Sequence, residues 1–385
     1  MMARLLALIV GVECVNGGTV GIVGAGGYVG AELHAYLAAQ GWSVSAFDLR
    51  PNLAHRASLP LEARNSSAIT DAEFHSLDAV IYLGGLTGRA TCDAVSGGVV
   101  QARNVHDPAL LASRMKPTQL FLFASTSAVT EGSGDHAATE VDEVLVGALD
   151  AYARSMHDRE QALSELSRTS EAPQLIGMRF GTVIGNSAGQ RVDLAPMALL
   201  RSAYLTGVLQ VTHGEVHRAF LTLDDLVRAV HAILSARTRA PRFAVFHLQS
   251  FAATLMRISN EIALQTRARI EAKDHPHSAD IAGFSLEAVR FETLFGFTFE
   301  GTLKGAIKQL HANVPDSITA KEAHVAGGDT HTVLGKHIKT QVTEACRVLS
   351  VAACITKTCW ICTSSHLPTA SPGRPRKRWP RHDFR

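Results

Sequence analysis

The chain has 385 residues, 46% of them hydrophobic and 19% charged, with a formal net charge of +2. That length can bury a full core, and the composition is that of an ordinary soluble globular protein. A charge so close to balance points to no particular partner. No run reaches the roughly 18 apolar residues that a membrane-spanning helix needs.

The chain opens on "MMARLLALIVGV", where one arginine and a short apolar run are reminiscent of the core of a secretory signal. Glu13, Cys14 and Val15 follow without a small-residue cleavage site, so residues 1–18 are read as an N-terminal extension. From 19 to about 185, short apolar strands alternate with helical patterns, the sequence form of repeated βαβ units and a parallel sheet. The first unit, "TVGIVGAGGYVGAELHAYLAAQGWSVSAFDLR", places Gly24, Gly27 and Gly30 between an apolar strand and an amphipathic helix. Glycines at such a turn let a pyrophosphate approach a helix N-terminus, where free N–H groups and the helix dipole favour negative charge. The next strand ends in Asp48, an acid placed to accept hydrogen bonds from an adenosine ribose and to repel a 2′-phosphate. Strand, glycine triad, helix, strand and acid arrive in that order. Together they predict NAD as cofactor, with Arg50 leaving room for NADP.

Further along come "LDAVIYLGGLTG", "ARNVHDPALLA", "LFLFASTSAVTEG", "DAYARSMHDREQAL", "GMRFGTVIG", "HGEVHRAFLTLDDLVRAV" and "SLEAVRFETLFGFTFEGTLKGAIKQL". With the GxxGxxG spacing, these ordered blocks resemble the extended short-chain dehydrogenase/reductases, the group of nucleotide-sugar epimerases and dehydratases. The resemblance covers about 19–312. It implies a Rossmann-type, doubly wound α/β fold with a smaller substrate-binding part, and cofactor contacts at Gly24, Gly27, Gly30, Asp48, Arg50 and Tyr152. It puts the substrate hydroxyl at Thr126, beside Ser125 and Ser127, and the general acid/base at Tyr152. Substrate contacts fall at Ser127, Thr182 and Arg218, with the arginine positioned to pair with a substrate diphosphate. Many relatives dimerise through the tyrosine helix and the one before it, so a homodimer is a further expectation by analogy.

One slot departs from that pattern. The family has a lysine four residues after the tyrosine, where this chain has Met156. A free tyrosine titrates near 10, so about one part in a thousand is phenolate at pH 7, and a nearby ammonium normally lowers that value. With nothing in its place, the oxidative direction loses up to about 4 kcal/mol in preparing the base. Reduction, which needs a protonated tyrosine, suffers less. His157 sits about 100° around the helix from Met156 and should face elsewhere. Arg159, seven residues after Tyr152, shares its face but has roughly 10 Å of rise to cover.

In "RFGTVIGNS", Arg179 and Gly185 match the family, whereas Thr182 replaces an asparagine common in sugar epimerases and Asn186 replaces a proline. Asp225 is read as capping or anchoring the helix that follows it. Residues 19–185, joined by 213–250, are assigned to the cofactor-binding core, and 186–212 with 251–312 to the substrate-binding part. Past 312 the pattern stops. The stretch 313–385 carries a CxxC at Cys359 and Cys362 and a basic run from Arg374 to Arg381. Without a second CxxC or suitably spaced histidines no metal is predicted, and this stretch is read as a solvated tail. Cys14 and Cys92, lone and distant, suit a reducing cytoplasm. Two functional readings stand: an NAD-dependent oxidoreductase or epimerase acting on a hydroxyl or carbonyl of a sugar-like substrate, or a catalytically silent cofactor-binding protein of the same fold.

Overall fold

The computed structural model describes residues 17–48, 68–131, 137–142, 144–273 and 283–312. The chain divides into two units, Met1–Val333 and Leu334–Arg385, and every described residue belongs to the first. Arg50, nearly all of the N-terminal extension, the CxxC pair and the basic run lie outside the described residues.

The strands are β1 (Thr19–Val23), β2 (Ser43–Phe47), β3 (Ala79–Tyr82), β4 (Leu120–Thr126), β5 (Ala137–Ala138), β6 (Gln174–Phe180), β7 (Thr182–Ile184), β8 (Val208–Thr212), β9 (His217–Thr222), β10 (Phe243–Leu248), β11 (Phe251–Thr254), β12 (Arg269–Lys273) and β13 (Ser285–Leu286). Six of them form one sheet in the order β10-β6-β4-β3-β1-β2, and every neighbouring pair in it is parallel. The reason is legible in β3 and β4. "AVIY" and "LFLF" are buried at every position, the continuous apolar run of a sheet covered on both faces. Side chains alternate between those faces. Val20, Ile22, Ala79, Ile81, Leu120 and Leu122 join one apolar cluster with helix Leu223–Ser235, while Val23, Val80, Tyr82, Phe121 and Phe123 join another on the opposite side. The result is the doubly wound α/β sandwich expected from the sequence.

β1 has β2 on one side and β3 on the other, so the strand order reverses there. Crossovers leave such a point in opposite directions and open a crevice at the carboxyl ends of the strands. A third apolar cluster stands apart from the sheet. Ile184, Met197, Leu200, Leu209, Ile258, Ile262 and Ile307 knit together the helices Ala195–Thr206, Leu255–Thr266 and Leu303–Ala312 with the parallel pair β8 and β12. The small sheet β11-β9-β7 adjoins it, with Phe220 and Ala253 buried in the cluster. Helix Val289–Phe295 instead sends Phe291 and Phe295 into the main core against Phe246.

Candidate functional site

The glycine turn closes on the end of β2. Phe47 O accepts from Gly24 N at 2.8 Å and Ala25 N at 3.1 Å, and Asp48 Oδ2 accepts from Gly26 N at 3.0 Å. Gly24 has φ +91°, a left-handed conformation costly for any residue with a Cβ, and it abuts Leu83 and Gly84 at the end of β3. A side chain at Gly30 would collide with the Gly24 carbonyl oxygen. Gly27 caps helix Tyr28–Ala39 without a side-chain acceptor, and no acidic residue lies in the first turn. The first N–H groups of that helix therefore keep their capacity for an anion. These features form a cradle that a Cβ would fill, with a carboxylate at its rim, and they fit a dinucleotide.

A second segment lies across this turn. Tyr28 Oη donates to Gly185 O at 2.8 Å, Ser187 Oγ donates to Tyr28 O at 2.7 Å, and a Cβ on Gly189 would stand 2.6 Å from Gly27 C. Residues 185–189, on the approach to helix Ala195–Thr206, thus rest directly on the helix start.

At the end of β4 three adjacent hydroxyls have separate fates. Ser125 Oγ donates to Glu160 Oε1 at 2.5 Å. Glu160 is also held bidentately by Arg179, Nε at 2.9 Å and Nη2 at 2.7 Å, and Arg179 Nη1 reaches His247 Nε2 at 3.2 Å. Ser125 thus belongs to a buried structural network. Ser127 is buried at the start of a short 3-10 turn. Thr126 hydrogen-bonds the side chain of Tyr152, which begins the second position of helix Ala151–Ser167. Asp150 caps that helix by accepting from Ala153 N at 2.7 Å.

Burial raises the Tyr152 phenol above its usual value of 10.0; the Thr126 hydrogen bond and the charges of Arg159 and Arg191 act in the opposite direction, and Cys92 adds a small upward push. Met156, one turn on, is 3% exposed and contributes no charge. Arg159, the residue separated from the tyrosine by the longest helical reach, is 1% exposed. It donates to Asn104 O at 2.6 Å, Ala124 O at 2.8 Å and Gly84 O at 3.2 Å, with its guanidinium carbon 5.3 Å from the Tyr82 ring centre. Asn104 sits in a π-helical turn, Ala102–His106, a widened geometry common at functional sites. Its amide donates to Leu86 O and to Ser155 Oγ, and Ser155 in turn donates to Tyr152 O.

Two groups escaped the sequence reading. Arg191 approaches Tyr152 and Tyr28 closely enough for its charge to act on both, while holding Asp193 through Nε at 3.1 Å and Nη2 at 2.5 Å. Arg89 forms ion pairs with Glu131 and Asp150. Both arginines sit in loops or short helices whose course no periodic pattern announces. Arg218, on β9, has its guanidinium carbon 4.8 Å from the Phe284 ring centre and feels Glu131 as an attractive charge. Thr182 is half-buried on β7 opposite Phe220 of β9. Asp225 anchors its helix as expected, but the cap is Thr222, which accepts from Asp225 N at 3.3 Å. Asp225 itself accepts from Gly301 N, Glu300 N and Ser250 Oγ.

The family model described as the NAD dependent epimerase/dehydratase family matches residues 20–247. No curated protein sequence matches the chain. Among solved structures, MoeE5 in complex with UDP-glucose and NAD is similar at 22% identity and TM-score 0.65, over 77% of this chain and 98% of that one. UDP-glucuronic acid 4-epimerase from Bacillus cereus, in complex with UDP-glucuronic acid and NAD, matches at 17% identity and TM-score 0.64, over 76% and 98%. RMD from Pseudomonas aeruginosa, complexed with NADPH, matches at 19% identity and TM-score 0.62, over 77% and 98%. At these identities the likeness is one of fold.

Proposed function

Since the chain belongs to the NAD dependent epimerase/dehydratase family, we propose that it is an NAD-dependent oxidoreductase of epimerase/dehydratase type, acting on a hydroxyl or carbonyl of a nucleotide-linked sugar. The observation that carries this reading is the pairing of Tyr152 with Thr126 at the carboxyl end of β4, two strands from β1, where the strand order of the sheet reverses. The similar structures with bound NAD and UDP-sugars support the choice of cofactor and substrate class. Gly24, Gly27 and Gly30 with the start of helix Tyr28–Ala39 would hold the pyrophosphate, and Asp48 the adenosine ribose. When bound, the nicotinamide supplies hydride exchange.

The chain's own groups handle the proton. Thr126 holds the substrate oxygen through its hydroxyl, and Tyr152 Oη gives a proton to that oxygen in reduction or removes one in oxidation. Because the phenol titrates above its usual value, Tyr152 stands ready as the acid at neutral pH. This favours the reductive half of the chemistry. Arg218 and Thr182 are proposed to face the remainder of the substrate.

The test compares wild type, Tyr152→Phe and Thr126→Val on a panel of nucleotide sugars with NAD and NADH, alongside calorimetric titration of each cofactor. We expect Tyr152→Phe to lower kcat at least ~100-fold with cofactor affinity unchanged. Turnover indifferent to Tyr152→Phe would overturn the acid/base assignment. Tight NAD binding with no turnover in any protein would support the silent-binder alternative that Met156 suggests.

A further inference from the structure

We propose that Arg159 takes over the charge of the missing lysine: its guanidinium, fixed from behind by the carbonyls of Gly84, Ala124 and Asn104, is the cation that stabilises the Tyr152 phenolate. The inference rests on Tyr152 being the acid/base. Arg159 touches neither substrate nor cofactor in this scheme; it is a positioning residue that acts through the tyrosine.

The first support is charge accounting. Arg159 is buried, yet among the described residues its partners are three carbonyl oxygens and the face of Tyr82, with no carboxylate in an ion pair. Its neighbour Glu160 is fully engaged by Arg179 and Ser125. A buried cation whose hydrogen bonds go to neutral carbonyls is costly, and its cost falls when a further negative charge forms nearby, beyond those of Glu160 and Asp107. Tyr152 is the group in the site that holds such a charge as the base of the oxidative direction, before it takes the substrate's proton, and that gains it in reduction on giving its own.

The second support is where the three carbonyls belong. Gly84 follows β3, Ala124 lies in β4 two residues before Thr126, and Asn104 is the residue whose amide, through Ser155, is tied to the tyrosine's own carbonyl. The guanidinium is pinned by the same segments that build the tyrosine's surroundings, so its position is fixed by the fold. A flexible side chain could not give that.

The third is the behaviour of the other charges. The groups that act on Tyr152 are Thr126 from β4, Arg159 from its own helix, Arg191 from the loop after β7 and Cys92 from helix Arg89–Asp93. Arg191 spends its charge on Asp193 through two hydrogen bonds, whereas Arg159 hydrogen-bonds carbonyl oxygens. Around Arg159 itself stand Tyr82, Tyr152, Glu160 and Asp107. Met156, small in reach and uncharged, fits this arrangement. A lysine in its place would crowd a second cation toward the first.

The experiment follows the phenol directly, in the full-length protein with tyrosines labelled at Cζ for carbon-13 NMR. The chain has five tyrosines, so the signal absent from Tyr152→Phe identifies Tyr152. We expect Arg159→Gln to make Tyr152 titrate at least about one pH unit higher than in wild type, a tenfold loss of phenolate at a given pH, with Arg159→Lys recovering part of it. An unchanged titration in a folded Arg159→Gln protein overturns the proposal. Should Arg159→Gln not fold, Met156→Lys decides. If Arg159 already supplies the charge, that lysine lowers the Tyr152 titration by less than about one pH unit and lowers Tm. A drop of about two units or more with Tm unchanged means that the slot was empty, and overturns it. Because this readout needs no turnover, failure of the acid/base reading shows separately, as activity indifferent to Tyr152→Phe.

Discussion

His247 is fully buried, between Arg179 Nη1 at one ring nitrogen and the Ala138 carbonyl, 3.1 Å away, at the other. Burial, then the charge of Arg179, holds its pKa at about 3 against a usual 6.5. The ring is neutral in the fold and must gain a proton on unfolding in acid, so its contribution is present above pH 6.5 and is lost as pH falls from there toward about 3. The full span corresponds to roughly 4–5 kcal/mol. We expect urea-unfolding free energy to fall steeply between pH 6.5 and 4, and His247→Gln to flatten that slope; a slope unaltered by the substitution would assign the acid lability elsewhere. Tyr152 works in the other direction. Its raised pKa keeps the proton on the phenol through neutral pH, so carbonyl reduction should be level from pH 6 to 9 and decline only in stronger alkali, while oxidation rises throughout that range. A pH–rate profile in each direction checks the sign.

At the scale of elements, the glycine turn carries two predictions. Gly30→Ala forces a methyl into the Gly24 carbonyl, and since the obstacle is backbone, it should destabilise the protein by at least ~2 kcal/mol and weaken cofactor binding; thermal melts and calorimetry read both. Asp48 at the end of β2 should make NAD bind more tightly than NADP. A tenfold preference for NADP, about 1.4 kcal/mol, would contradict that role. The turn and the central strands were legible because their signals are local: a glycine spacing, a continuous apolar run, an acid at a strand end. The site was legible only in part. "ASTS" offers three hydroxyls in succession, and only the fold reveals that Glu160 occupies Ser125 while Thr126 meets the tyrosine. Arg159 could be placed on the tyrosine's face by helical spacing. What lay beyond the sequence was that the ends of β3 and β4 present carbonyls that draw its guanidinium in, a matter of tertiary register. Arg191 gave no signal at all, because a loop has no period.

For the whole described molecule, the governing fact is the order in which the chain visits its two parts. It leaves the main sheet after β6, passes through β7 to build helix Ala195–Thr206 and β8, comes back through β9 and helix Leu223–Ser235 to lay down β10, then departs again into β11. β9 pairs with β7 in parallel and with β11 antiparallel, so one strand binds two other passes of the chain. We therefore expect residues 17–312 to unfold as one unit, with tryptophan fluorescence and far-ultraviolet circular dichroism giving the same urea midpoint; two separated midpoints would show that the parts melt independently. The same braiding bears on how such a protein can acquire new tastes. A lobe strung on one loop can be exchanged between relatives by a single recombination. Here the lobe is delivered in two instalments, and residues 185–189 from its threshold are also bonded to the start of the glycine-turn helix. A crossover at any one point would leave half a lobe on a foreign core, which leaves change to proceed one side chain at a time.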